Sequence, residues 1–89
     1  MVMSGSKTDD EETPLEWAFQ NHKEALLRRG NHPRSNFRRA ILDGADLTEG
    51  NFVDSDFRRA SMPGADLMKS SFDNSDFRGA DLRKARLNL

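Results

Sequence analysis

The sequence predicts an all-β solenoid, namely a four-sided β-helix of about three coils with an α-helix capping its N-terminal end. Two observations predict the coils: large apolar residues recur every five positions across residues 35–89, and a repeat of twenty residues is superimposed on that period. A third observation, a segment with helix-start and helix-stop signals ahead of the repeats, predicts the cap.

The period of five is unbroken over eleven repeats. The large apolar residue of each repeat, here called its centre, is one of Phe37, Leu42, Leu47, Phe52, Phe57, Met62, Leu67, Phe72, Phe77, Leu82 and Leu87. The first eight centres form the predicted core. Two positions before every centre stands Ser, Ala or Gly, and the remaining positions are mostly polar.

This period suits neither common secondary structure. Five residues turn an α-helix by about 140° beyond a full turn, so the centres would scatter around its surface. On a flat strand, an odd period would place successive centres on opposite faces. A chain that turns a corner every five residues instead points each centre, and the small residue two before it, toward one interior.

The repeat of twenty residues sets the number of sides at four. Residues 35–54 and 55–74 share ten identities in twenty positions. One side always carries Ser followed by Phe, as in Ser55 and Phe57, whereas the next two sides carry Ala followed by Leu or Met. Like residues therefore stack on like, with successive coils about 4.8 Å apart.

The units Ala45-Asp46-Leu47, Ala65-Asp66-Leu67 and Ala80-Asp81-Leu82 resemble the A(D/N)Lxx unit of the pentapeptide-repeat family. The resemblance covers residues 35–89 and implies a right-handed quadrilateral β-helix. It implies little about activity, because one fold hosts many functions. Some members of the family mimic B-form DNA and protect type II topoisomerases, but that role requires a long acidic rod. Residues 35–89 carry nine basic and nine acidic residues, and two and three-quarter coils span only about 13 Å.

The N-terminal third predicts a tail and a cap. Residues 1–12 are small, polar and acidic, which is typical of a disordered tail. In residues 13–34, interpreted as a capping helix and linker, Thr13 and Glu16 form a capping box and Gly30 a helix stop. The apolar residues at three-and-four spacing, expected to pack onto the first coil, are Leu15, Ala18, Phe19, His22, Ala25 and Leu26.

Composition favours a cytoplasmic protein without a membrane segment. The net charge is −1, no cysteine is present, and residues 1–12 lack the basic and apolar regions of a signal peptide. No apolar run approaches the length that spans a bilayer.

One side of the predicted β-helix carries a column of arginines. Arg38, Arg58 and Arg78 lie twenty residues apart, and Arg39 and Arg59 form a second, partial column beside them. Such a stripe could bind phosphates or an acidic protein surface. We favour the alternative that Asn36, Asp56 and Asp76 pair with these arginines in a solvated ladder, because the overall charge is almost zero.

No residues suggest catalysis, a cofactor or a metal. His22 and His32 are the only imidazoles, and the sequence offers no further ligands near them. Serine and carboxylate residues follow the repeat rather than forming a catalytic set. Gly44 and Gly64 recur at one corner and are interpreted as turn residues rather than a phosphate-binding loop. We therefore expect no enzyme activity.

The C-terminal end predicts an interface. The last coil would leave apolar side chains partly uncovered, namely Phe77, Leu82, Leu87 and Leu89. An apolar patch rimmed by polar groups is typical of an interaction site, and a two-fold axis would let two copies cover each other.

These observations together favour a non-catalytic module that binds another protein or acts as a scaffold, and they predict a homodimer through the C-terminal end. One alternative is a binder of nucleic acid or an anionic ligand through Arg38, Arg58 and Arg78, although nucleic acid is disfavoured by the neutral charge. The other is a DNA mimic directed at a type II topoisomerase, disfavoured by both charge and length.

Overall fold

In the computed structural model, residues 11–87 are described, and they form a four-sided β-helix built from single-residue β-bridges. Eleven parallel bridges join residues twenty apart, from Glu16 with Asn36 to Asp66 with Arg86, at every fifth position. The chain therefore forms coil 1 (residues 15–34), coil 2 (35–54), coil 3 (55–74) and a partial coil 4 (75–87). Side one contains Phe37, and sides two, three and four follow in chain order.

Backbone hydrogen bonds between coils follow one pattern. The N–H of a centre donates to the carbonyl nineteen residues ahead, as Phe37 does to Asp56 at 2.7 Å. The residue before a centre donates back to the previous coil, as Asn36 does to Leu15 at 2.7 Å. Each side is thus bonded to the coils above and below it, which satisfies backbone groups that face no solvent.

The corners are tight turns that require a left-handed residue. At each corner two residues follow the centre, and the second of them has a positive φ, which is the type II turn conformation. Gly44 and Gly64, at φ 69° and 73°, occupy this position in the second corner, as predicted. Pro63, before Gly64, suits the first corner position because its fixed φ matches that turn.

The preference for Asp or Asn before the centre has a local cause. The first corner residue has an N–H that no backbone carbonyl accepts among residues 11–87. The Asp46 carboxylate accepts this N–H from Thr48 at 3.0 Å, and the Asn36 side chain accepts it from Arg38 at 3.1 Å. These short side chains thus stabilise the corner in the manner of an Asx turn.

The interior is closed and rich in phenylalanine. The centres Phe37, Leu42, Leu47, Phe52, Phe57, Met62 and Leu67 are almost completely buried, as predicted, whereas Phe72 is only partly buried. Phe57 stacks on Phe37 and on Phe77, with ring centroids 4.7 Å apart in both pairs. Phe52 and Phe72 meet these rings edge to face, an arrangement that aromatic quadrupoles favour.

Buried serines complete side one. The Ser55 hydroxyl accepts the N–H of Ser35 at 3.0 Å, and the Ser75 hydroxyl accepts the N–H of Ser55 at 3.0 Å. The Ser35 hydroxyl in turn donates to the His32 carbonyl at 2.8 Å. On this side a serine hydroxyl thus accepts the N–H that on an alanine side bonds to the carbonyl three residues earlier, as Ala40 does to Phe37 at 2.9 Å.

The predicted capping helix is wrong: residues 15–34 form coil 1 of the β-helix, and none of residues 13–34 is helical. The inward-facing centres of coil 1 are Trp17, His22, Leu27 and His32, which continue the period of five backward from Phe37. Of the apolar residues assigned to the helix, Phe19 is 66% exposed and Leu26 is 84% exposed. The first N–H groups of coil 1 instead bond to coil 2, for example Trp17 to the Asn36 carbonyl at 2.9 Å.

The predicted domain boundaries change accordingly. The linker expected before residue 35 belongs to coil 1, where His32 packs against Phe52. Glu12 and Thr13 lie against this coil, since the Arg34 guanidinium donates to the Glu12 carboxylate at 2.8 Å and Thr13 donates to the Asn31 carbonyl at 2.7 Å. Most of the predicted disordered tail, residues 1–10, and Leu89 lie outside the described residues.

Two substitutions distinguish coil 1 from a helix. Trp17 is partly buried against Phe37, so we expect Trp17→Ala to lower the free energy of unfolding by about 2–4 kcal/mol. Phe19→Ala should change it by less than about 1 kcal/mol, because that ring is mostly exposed. Urea denaturation followed by circular dichroism measures both, and a larger loss for Phe19→Ala would contradict the assignment.

Candidate interaction surface

The arginine column predicted from the sequence lies at the first corner of the β-helix. This corner, here called corner one, consists of the two residues after each side-one centre: residues 18–19, 38–39, 58–59 and 78–79. It brings together all five predicted arginines. Arg38, Arg58, Arg59, Arg78 and Gly79 line a shallow groove of about 320 Å³ along it.

Two of these arginines are held by aspartates of their own repeats. Asp56 accepts two hydrogen bonds from the Arg58 guanidinium, at 2.9 and 2.7 Å. Asp76 accepts the same pair from Arg78, at 2.9 and 2.6 Å. An Asp before the centre and an Arg after it are thus placed for a bidentate contact, and Asp81 with Arg83 repeats the arrangement on side two.

The ladder predicted from the sequence stops at coil 2. Asn36 stands where Asp56 and Asp76 stand in the next coils, and its side chain accepts only the backbone N–H of Arg38. Among residues 11–87, no carboxylate pairs with Arg38, Arg39 or Arg59. The N-terminal half of corner one therefore carries guanidinium groups that form no ion pair with the described residues.

Phe19 adds an aromatic ring to this half, which the sequence interpretation missed. The guanidinium carbons of Arg38 and Arg39 each lie 5.9 Å from the centre of its ring, within cation–π range. Continuing the period of five from Phe37 back to Trp17 would have placed Phe19 in the column of Arg39 and Arg59. That signal was hidden because His22 and His32 occupy centres that are apolar in later coils.

The fixed arginines lower the pKa values of their aspartates. Hydrogen bonds from the Arg78 guanidinium, and from its backbone N–H, hold the pKa of Asp76 at about 2. The Arg58 guanidinium lowers the pKa of Asp56 in the same way. Both carboxylates therefore stay ionised well below neutral pH. The bidentate Asp–Arg contacts, here called arginine forks, thus persist over the physiological pH range.

The two histidines have structural partners. The His22 ring stacks on Trp17 with centroids 3.6 Å apart, and its Nε2 lies 2.7 Å from the Gln20 side-chain oxygen. His32 Nδ1 lies 2.7 Å from the Thr13 carbonyl. Within residues 11–87, no three His, Cys, Asp or Glu side chains lie together as metal ligands, and no helix could cross a membrane.

The predicted C-terminal interface is partly exposed. Phe77 and Leu82 are half-buried, although Phe57 and Met62, which precede them in the stack, are completely buried. Leu87 is 45% exposed. The N–H groups of Phe77 and Leu82 have no backbone acceptor within the described part of the chain, so the coil presents apolar side chains beside an open β-edge.

The fork between Asp76 and Arg78 can be tested by titration. Arg78→Gln should raise the pKa of Asp76 from about 2 toward its ordinary value of 3.8, whereas Arg59→Gln should leave it unchanged. Because the folded-state pKa is below the unfolded value, the contribution to stability is present above about pH 4 and is lost as pH falls through about 2. Carboxyl ¹³C shifts measure the pKa, and a value near 3.8 in the unsubstituted protein would contradict the fork.

Comparison with known proteins agrees with this fold. The pentapeptide-repeat family model matches residues 23–59 and 51–88, with eight copies of the repeat. A crystal structure of a pentapeptide repeat protein from the thylakoid lumen of Arabidopsis thaliana superimposes with a TM-score of 0.58 at 22% identity. The match covers 75% of this chain and 61% of that one, and no curated protein sequence matches.

The match to the family begins at residue 23, inside coil 1, so it includes residues 23–34 of the segment predicted to be a capping helix and linker. Its extent, together with the four-sided stack of five-residue units, identifies the coil as the right-handed β-helix of that family. The chain belongs to the pentapeptide-repeat family.

Proposed function

We propose that the chain is a non-catalytic protein-interaction module and that the C-terminal end of its β-helix binds a second copy. The observation that carries the proposal is the change in burial along the stacked centres. Leu67 is 2% exposed, and Leu87, the next residue in the same column, is 45% exposed. Covering Leu87, Leu82 and Phe77 would remove an apolar surface from water.

A two-fold axis suits this end of the rod. Its open edge contains N–H donors, at Phe77 and Leu82, beside the carbonyls of Ala80 and Ala85, which no backbone N–H approaches among residues 11–87. A surface with both donors and acceptors is self-complementary, as an isologous interface requires. Pairing of the two edges would add backbone hydrogen bonds to the apolar contact.

The DNA-mimic alternative has less support. Such a role needs an acidic rod, whereas corner one is basic and the chain has a net charge of only −1. Coil 1 lengthens the stack, but about three and a half coils still span only about 17 Å. The cytoplasmic location stays a prediction.

Self-association can be tested with one apolar-to-acidic substitution and a matched control. We expect the unsubstituted chain to be a dimer and Leu87→Asp to be a folded monomer, because a buried carboxylate in the interface would be costly. Leu26→Asp makes the same chemical change on an outward-facing residue of coil 1 and should stay dimeric. Sedimentation equilibrium measures the mass, and an unsubstituted chain that is monomeric at high micromolar concentration would rule out the dimer.

A further inference from the structure

We infer that corner one binds an acidic amphipathic α-helix of a partner protein, with Phe19 contacting an apolar side chain and the arginines contacting a column of carboxylates. The inference deepens the proposed interaction function and concerns a surface separate from the C-terminal end.

The charge at corner one is one-sided. Five arginines stand on residues 38–39, 58–59 and 78, and the aspartates of side one neutralise only Arg58 and Arg78. Arg38, Arg39 and Arg59 form no ion pair with any of residues 11–87. An anionic ligand could therefore bind here without displacing a carboxylate that is already in place.

Phe19 occupies a position that is unfavourable for a large apolar residue. It occupies the left-handed corner position with a φ of 64°, which is unfavourable for a bulky residue, and its ring is 66% exposed. The corner imposes this φ, as it does at every second corner position, but nothing in the interior explains why an exposed Phe occupies it. An exposed aromatic ring beside two guanidinium groups is typical of a contact site, because aromatic and arginine residues dominate interface energetics.

The spacing between successive arginines at corner one matches the pitch of an α-helix better than the repeat of an extended strand. Successive coils repeat about every 4.8 Å along the rod. A helix turns once in about 5.4 Å, so carboxylates one turn apart would follow Arg38 or Arg39, then Arg58 or Arg59, then Arg78. Same-face residues of an extended strand are about 6.6 Å apart and would lose register after one step. A helix lying along the rod would thus place an apolar side chain against Phe19 in the preceding coil.

A nucleic acid fits this surface less well. Glu16, Asp56 and Asp76 lie on side one, directly beside the arginines. Their carboxylates would repel a chain of phosphates, and the net charge of −1 gives no long-range attraction to nucleic acid. A protein partner can place neutral or basic residues opposite these carboxylates.

Fluorescence anisotropy with the full chain tests the inference. The probe is a labelled, alanine-based peptide of about 20 residues with one Phe followed by Glu at three successive turns. We expect it to bind at least tenfold more tightly than a peptide of identical composition whose Glu residues are spread around the helix. Phe19→Ala, and separately Arg39→Gln combined with Arg59→Gln, should each weaken binding about tenfold, and the arginine variant should also show a weaker salt dependence.

Lys84→Gln is the matched control, because Lys84 has the same corner position and a φ of 60° but lies on corner two. It should bind the peptide as tightly as the unsubstituted chain. Equal binding of the two peptides, no binding of either, an equal loss in Lys84→Gln, or tighter binding of an oligothymidylate of about 12 nucleotides would each overturn the inference. Leu87→Asp should retain peptide binding, so this result is independent of self-association.

Discussion

The structure depends on the twenty-residue register of backbone hydrogen bonds between coils. Each centre from Trp17 to Leu67 bonds to the carbonyl nineteen residues ahead, so any insertion would shift every later centre out of the stack. This register places Phe37, Phe57 and Phe77 in one stacked column and directs the small residues beside them inward. The same constraint brings Ser35, Ser55 and Ser75 into line, where each hydroxyl replaces a backbone carbonyl as acceptor.

The register restricts side-chain identity least at the corners and at the ends of the stack. Apart from the buried Pro33, corner residues lie outside the core, so their side chains vary from coil to coil while their backbone conformation does not. Corner one uses this freedom to align cations and an aromatic ring, and the spacing of the column equals the coil spacing. The C-terminal end offers a different surface, in which core residues lose their cover. Both surfaces suit binding to macromolecules, which is why we propose an interaction module.

The sequence predicted the coils from residue 35 onward because each centre there is large and apolar and no repeat is interrupted. It failed for coil 1, where His22 and His32 replace apolar centres and Gln20 replaces a small residue. Thr13, Glu16 and Gly30 are also good helix signals. Such local signals contain no information about coil 2, whose edge offers hydrogen-bond partners to the same backbone groups. The inter-coil hydrogen bonds and the packing of Trp17 on Phe37 outweigh helix propensity here. For the same reason, the helix interpretation places Phe19 against the first coil, although it lies on the surface. The arginine forks could be predicted where an Asp precedes the centre, whereas Arg38 follows Asn36 and has no such partner.

Amide hydrogen exchange across residues 15–34 tests the central claim, that these residues form a coil of the β-helix and not an α-helix. The structure predicts slow exchange at Trp17, His22 and Leu27, whose N–H groups bond to coil 2. It predicts fast exchange at Asn21 and Leu26, whose N–H groups have no backbone acceptor among the described residues. This alternation with a period of five, resolved residue by residue by NMR, would support the account. Continuous protection from Ala18 through Arg29, including Asn21 and Leu26, is the pattern of an α-helix and would contradict it.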